Sequence, residues 1–244
     1  MVEDFYIVAY EWGAENPTIE TWGCEKENVV SLDEHYSGAI KKLKVEALPG
    51  AFQLLHVLTP VECEKFLEVT QRVGYIEDAA VSLPRSVRHN YSLTWVVDER
   101  LHNIIWERCK PFMEDEENIF QNKKALGLNK RFRFYKYEQG DYFSLHTDGA
   151  WPGSAIRERK LITDNYGDRF SKMTFLLFLS DDFEGGETSF LVDRKNKKYV
   201  DVRTPKGGVL CFPHGTHPLH ALHASKEVRN GVKYIIRSDV LYEK

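Results

Sequence analysis

The sequence predicts an α+β domain, with helices packed on one face of an antiparallel sandwich or barrel. Two observations carry this expectation. Two segments with helical spacing and helix-boundary residues come first, and from residue 131 onward the chain breaks into short apolar or alternating segments separated by Gly-Gly pairs.

The first helix is marked at its start. Thr59 suits the cap, Pro60 the first helical position, and Glu62 completes a T-x-x-E capping box. Cys63, Phe66, Leu67 and Val73 then recur at helical spacing, and Gly74 suits the exit. A second helix is expected to start at Asp98, with Leu101, Ile104 and Ile105 on its apolar face and Pro111 at its end. Upstream, Leu48 to Phe52 reads as a turn leading into an apolar run that ends at Leu58.

The strands follow. Arg131 to Tyr137 is aromatic and nearly alternating, whereas Met173 to Leu179 is continuously apolar and is expected to be buried on both faces. Thr188 to Val192, Tyr199 to Arg203, Val209 to Phe212 and Lys233 to Leu241 are further strand candidates, with turns at Gly185-Gly186 and Gly207-Gly208. Residues 1–45 are weakly patterned and read as an N-terminal extension ahead of a domain spanning 46–244.

Composition excludes some functions. The chain has 244 residues, 42% hydrophobic and 29% charged, enough for one sizeable core. A net charge of -4 gives no electrostatic case for nucleic acid or an anionic membrane as partner. No segment approaches the roughly eighteen apolar residues of a membrane helix, and the acidic start does not resemble a signal peptide. The expectation is therefore a cytoplasmic protein. Cys24, Cys63, Cys109 and Cys211 form no C-x-x-C pair and read as buried, reduced side chains.

The chemistry centres on His146-Thr147-Asp148. Residues i and i+2 at a strand end point the same way, so an imidazole and a carboxylate can converge on one metal. With a second histidine from a distant strand they would form a two-His, one-carboxylate face, which leaves open positions as iron(II) oxygenases need. Alone the pattern is weak, because with nine His and 37 Asp plus Glu it arises about once by chance.

Its surroundings say more. RFYKYEQGDYFSLHTDG (133–149), MTFLLFLSDDFEGGET (173–188), GGVLCF (207–212) and HASKEVRNGVKYIIRSDVLY (223–242) occur in that order. Together, over about residues 48–242, they resemble the prolyl 4-hydroxylase-like family of iron(II)/2-oxoglutarate-dependent oxygenases. The resemblance implies a double-stranded β-helix (jelly-roll, cupin-like) core and three cofactors: Fe(II), 2-oxoglutarate and L-ascorbate. It implies O2-dependent hydroxylation of an unactivated C–H bond, with succinate and CO2 released. A peptidyl proline is the expected substrate; a small-molecule metabolite is the alternative. The carboxylate at Asp148 favours hydroxylation over halogenation, for which related enzymes carry a small residue there.

His146, Asp148 and His223 are the implied metal ligands. His214, His217, His220 and His223 lie three apart, and His220 stays open as the alternative distal ligand. His223 is favoured because the family's 2-oxoglutarate-binding lysine lies ten positions after the distal histidine, where Lys233 stands. Pro213 and Pro218 place His214 and His217 in a turn. Lys233 and Arg237 share a strand face and both could hold the co-substrate carboxylate; Arg237 could equally pair with Asp239 or Glu187. Tyr137 matches a tyrosine that hydrogen-bonds that carboxylate, and Thr174 could line the pocket. Arg88-His89-Asn90 resembles an R-x-N element at the pocket mouth. Trp151 to Phe170 is expected to be a mobile lid loop with a solvated charged run at Arg157 to Lys160.

Two rival classes remain: a non-catalytic metal-binding module of the same fold, and a zinc hydrolase. The intact His-Asp-His-Lys set speaks against the first, and the absence of H-E-x-x-H against the second.

Overall fold

A computed structural model describes residues 3–79, 83–113 and 118–244. Its elements run in chain order β1 (Phe5–Glu11), β2 (Ile19–Cys24), β3 (Lys41–Lys44), β4 (Phe52–Leu55), α1 (Pro60–Val73), β5 (Arg88–His89), β6 (Tyr91–Val96) and α2 (Glu99–Cys109). Next come β7 (Ala125–Leu128), β8 (Arg131–Tyr137), β9 (Tyr142–His146), β10 (Ala155–Arg157), β11 (Lys160–Ile162), β12 (Arg169–Phe178) and β13 (Glu184–Gly185). The chain closes with β14 (Thr188–Asp193), β15 (Lys198–Val202), β16 (Val209–Pro213), β17 (His223–Ser225), β18 (Val228–Asn230) and β19 (Lys233–Glu243).

The strands form a large sheet, ordered β1-β2-β6-β8-β19-β12-β16-β4-β3 with β7 beside β19, and a smaller one, ordered β15-β14-β17-β9-β5. The central strands of the large sheet are buried on both sides, and the alternation along them sorts the residues. On β8, Phe132 and Phe134 join the core against α1 and α2, while Tyr135 and Tyr137 face the interior of the sandwich. On β12, Phe175 and Leu177 take the first side and Leu176 and Phe178 the second, which explains the continuous apolar run.

Both helix starts follow the sequence signals. The Thr59 hydroxyl accepts from the Glu62 amide and the Glu62 carboxylate accepts from the Thr59 amide, closing the capping box. Asp98 caps α2 by accepting from the Leu101 amide. Glu62 does more than cap. Its carboxylate also accepts from both terminal nitrogens of Arg108 on α2, at 2.7 and 3.0 Å, and from the Asp33 amide.

Two stretches are more ordered than the sequence suggested. The N-terminal residues are built into the sheet: β2 pairs in parallel with β6, and Phe5 packs edge-on against Trp95 at 5.1 Å. Within Trp151 to Phe170, expected as a mobile lid loop, residues 155–162 form a hairpin, β10 against β11, and Asn129 bonds the backbone of Pro152 and Ser154 just ahead of it. Its turn residues, Glu158 and Arg159, both have positive φ. That turn type is normally announced by Asn-Gly, so Glu-Arg gave no signal. The charged side chains of the turn are exposed, as expected. All four cysteines are buried and unpaired, and no helix among the described residues is long and apolar enough to cross a membrane.

Candidate metal centre and co-substrate pocket

The smaller sheet brings two distant histidines face to face. β9 ends at His146 and β17 begins at His223, and the two are direct register partners, with ring centroids 4.3 Å apart. Asp148 lies two residues beyond the strand end on the same side. One ligand atom from each of His146, Asp148 and His223 falls within 4.8 Å of the others. His220 is exposed and bonds the His217 carbonyl, so it stands apart from this cluster.

The donor set is prepared for a cation. The Nδ1 of His146 lies 2.8 Å from the Ser144 carbonyl, and that of His223 lies 3.0 Å from the Ala221 carbonyl. A carbonyl only accepts, so each Nδ1 carries the proton and each Nε2 presents its lone pair to the cluster. Burial lowers the proton affinity of both rings, that of His146 to about 4, so neither is protonated at neutral pH. Burial alone would raise the Asp148 carboxyl, but Arg237 and the clustered histidines reverse this and keep it ionised. Phe143 stacks on His146 at 3.5 Å, while Phe190 and Phe212 flank His223, which fixes the rings and excludes water.

Asp148 is held from behind. The Thr174 hydroxyl donates to its Oδ2 at 2.7 Å. Having spent its proton there, Thr174 accepts from the His214 Nδ1, and the His214 Nε2 accepts from Ser171. Thr174 is thus a support for the carboxylate and does not border the cavity. His214, expected in a loop, is buried in this chain of hydrogen bonds. Only its context on β12 and β16 could have revealed that.

A cavity of about 190 Å³ opens from the cluster, lined by Arg88, Tyr135, Tyr137, Phe143, Trp151, Thr188, Ser225, Lys233 and Arg237 among others. Lys233 and Tyr137 are register partners on β19 and β8. The Lys233 Nζ donates to the Gly186 carbonyl at 2.7 Å and the Ser225 hydroxyl at 2.8 Å, and sits 5.1 Å from the Tyr137 ring centroid. Those partners are neutral, so the ammonium keeps a proton for a ligand. Burial, with Arg203 nearby, pushes its pKa down to about 7. The Gly185-Gly186 turn makes this possible: Gly185 has φ of +72°, and a Cβ there would lie 2.2 Å from the Glu227 carbonyl.

Arg237 has a different environment. Its Nε lies 3.3 Å from Asp148 and a terminal nitrogen 2.9 Å from Asp239, and these carboxylates raise its pKa. Asp239, rather than Glu187, is the partner of the two weighed from sequence. Arg88 is buried, with its Nε donating to Asn90 Oδ1 at 2.8 Å, and it lines the pocket, which Asn90 does not.

Residues 132–238 match the family model of the 2OG-Fe(II) oxygenase superfamily. Over that stretch, somewhat less than half of the chain, the sequence resembles this superfamily. Solved structures of several oxygenases share the fold. A viral collagen prolyl hydroxylase from Paramecium bursaria Chlorella virus-1, in complex with 2-oxoglutarate, aligns with a TM-score of 0.51 at 16% identity, covering 82% of this chain and 99% of that one. A Trichoplax adhaerens prolyl hydroxylase, solved with a peptide fragment of hypoxia inducible factor, aligns at 0.52 and 17% identity, covering 78% and 83%. HygX from Streptomyces hygroscopicus, with nickel and 2-oxoglutarate bound, aligns at 0.51 and 13% identity, covering 82% and 87%. No curated protein matches the chain in sequence. At these identities the likeness concerns the fold, the double-stranded β-helix anticipated from the motifs.

Proposed function

We propose that the protein is an Fe(II)- and 2-oxoglutarate-dependent dioxygenase that hydroxylates an unactivated C–H bond, with release of succinate and CO2. The observation that carries this reading is the convergence of two Nε2 atoms and one carboxylate beside a buried lysine whose hydrogen-bond partners among the described residues, the Gly186 carbonyl and the Ser225 hydroxyl, are neutral. His146, Asp148 and His223 would hold the iron, a ligand set that leaves positions for co-substrate and O2. The bound iron, with 2-oxoglutarate and O2, supplies the oxidising power for C–H hydroxylation. The chain's own residues do the rest. Lys233 takes the distal carboxylate of 2-oxoglutarate, assisted by Tyr137. Thr174 and Arg237 fix Asp148, so Arg237 acts beside the metal rather than as the co-substrate's cradle. Phe143, Phe190 and Phe212 keep water from the histidines. L-Ascorbate would restore iron(II) after turnovers that fail to hydroxylate, and four buried free cysteines suit a cytoplasmic setting.

A peptidyl proline is one substrate class to test, supported by the likeness to prolyl hydroxylases. A metabolite is the second, favoured by the small cavity and by a cation within it that Asp148 does not reach. Purified protein given Fe(II), 2-oxoglutarate and O2 should release succinate, and mass spectrometry of proline-containing peptides should reveal an added oxygen. A protein that binds metal yet never releases succinate would instead be the non-catalytic module.

Co-substrate affinity should depend on pH. Only protonated Lys233 attracts a carboxylate, and its pKa of about 7 lies within the working range. Binding of 2-oxoglutarate is expected to weaken on the order of tenfold between about pH 6.5 and 8.5, measured by calorimetry, while Lys233→Met should bind weakly with a flat profile. Stability runs the other way. The unfolded lysine holds its proton until about pH 10.4, so unfolding takes up a proton between about 7 and 10.4. The ligand-free protein therefore gains stability as pH rises through that window.

A further inference from the structure

We propose that Arg88 is the receptor for a carboxylate of the prime substrate, and that this oxygenase acts on a small carboxylic acid rather than on a residue inside a peptide. This inference rests on the proposed dioxygenase reading and gives its substrate a class.

Arg88 lines the same cavity as His146, Asp148, His223 and Lys233 and is only 5% exposed. Its Nε is engaged by Asn90, yet one terminal nitrogen is buried with no hydrogen-bond partner among the described residues. Its guanidinium lies over the Tyr135 ring at 4.3 Å and the Phe143 ring at 5.0 Å, which fixes the plane of its fork. A buried cation left with an unsatisfied donor nitrogen is costly, and a ligand that takes it recovers that cost.

The other charges around the cavity are accounted for. Arg237 faces Asp148 and Asp239. Asp148 is the one carboxylate among the lining residues, and it belongs to the metal cluster. Of the two carboxylates of 2-oxoglutarate, one is assigned to Lys233 and the other to the metal. Lys233 and Arg237 sit at opposite ends of one row on β19, about 13 Å apart at the strand rise, with Ile235 and Tyr135 paired between them. Arg88 rests on that central tyrosine. It therefore faces the space left over once the co-substrate occupies the Lys233 end. A planar fork held between aromatic rings suits a carboxylate in two-point contact. Leu83, Phe143, Trp151 and Leu176 give the rest of the substrate an apolar wall. The backbone of a chain segment continuing in both directions offers only neutral amides to Arg88, whereas a free acid brings its own carboxylate, and a cavity of about 190 Å³ suits a small molecule.

The test compares acids with their amides. The full chain, loaded with Fe(II) and 2-oxoglutarate without oxygen, is titrated by calorimetry with the common free L-amino acids and their carboxamides, in which a neutral group of similar shape replaces the carboxylate. At least one acid should bind, and its carboxamide should bind at least tenfold more weakly. Arg88→Gln should weaken the acid at least tenfold while 2-oxoglutarate affinity moves less than twofold, and Arg88→Lys should fall between. Circular dichroism checks that the variants fold, and the Lys variant retains the charge should the Gln variant fail. Equal binding of acids and amides, no binding of any acid, or an equal loss of 2-oxoglutarate affinity in Arg88→Gln would overturn the proposal. Failure of the dioxygenase reading looks different: the wild type would bind neither Fe(II) nor 2-oxoglutarate, and the acid–amide comparison on the metal-free chain would still report on Arg88.

Discussion

Replacing His146 by Ala is expected to lower 2-oxoglutarate-dependent succinate release on the order of a hundredfold or more. Disturbing a residue that merely orients a metal ligand already costs roughly ten- to a hundredfold in affinity or activity, so losing the ligand itself lies at or beyond the upper end. The fold should survive, because His146 is half-buried at a strand end and its Nδ1 makes a single local bond to Ser144. A melting temperature near that of the wild type with lost Fe(II) binding would place the effect at the metal. Thr174→Val offers a graded comparison. It keeps the side chain's shape and removes the donor to Asp148, so a loss of about tenfold, partly restored by excess Fe(II), is expected. Normal succinate release by the His146 variant would defeat the proposed ligand set.

The largest effect on stability is expected far from the site, at Glu62. Its carboxylate caps α1, accepts from the Asp33 amide and pairs with both terminal nitrogens of Arg108, and both side chains are almost wholly buried. Glu62→Ala strips these partners at once and leaves Arg108 charged in the interior. Removing one member of such a pair costs about 3–5 kcal/mol. For a chain of this size that corresponds to a melting temperature lower by roughly 6–20 °C. The pair as a whole is worth less than this, so Glu62→Met with Arg108→Met should regain much of the loss. The hydrogen bonds hold the Glu62 carboxyl below its ordinary value. Its contribution is therefore full above about pH 4.5 and fades as pH falls through the folded-state value.

Much of this architecture was legible because it follows local rules. The Thr59–Glu62 box and the Asp98 cap are written in adjacent residues, and the two-sided burial of Met173 to Leu179 shows as an unbroken apolar run. The convergence of His146, Asp148 and His223 was legible for a different reason: each part sits in a motif, and the family resemblance supplied the order. What stayed hidden depends on long-range partners. The N-terminal strands are held by β6, some seventy residues away in sequence, and show no strong period of their own. The polar chain through His214, Ser171 and Thr174 joins residues whose nearness only the β12–β16 register creates. Arg237 looked like a carboxylate receptor from its parity with Lys233; the structure spends that charge on Asp148 and Asp239.

The opposition of His146 and His223 across β9 and β17 limits how the gene can vary. A pleated strand turns each successive side chain to the other face, so inserting a single codon within Tyr142–His146 would swing the imidazole out of the cluster. Adding two codons would restore its direction but carry it about 6.6 Å along the strand, beyond reach of its partners. Length changes in this half of the molecule are therefore expected to survive only in surface connections, such as the turn between Asp193 and Lys198.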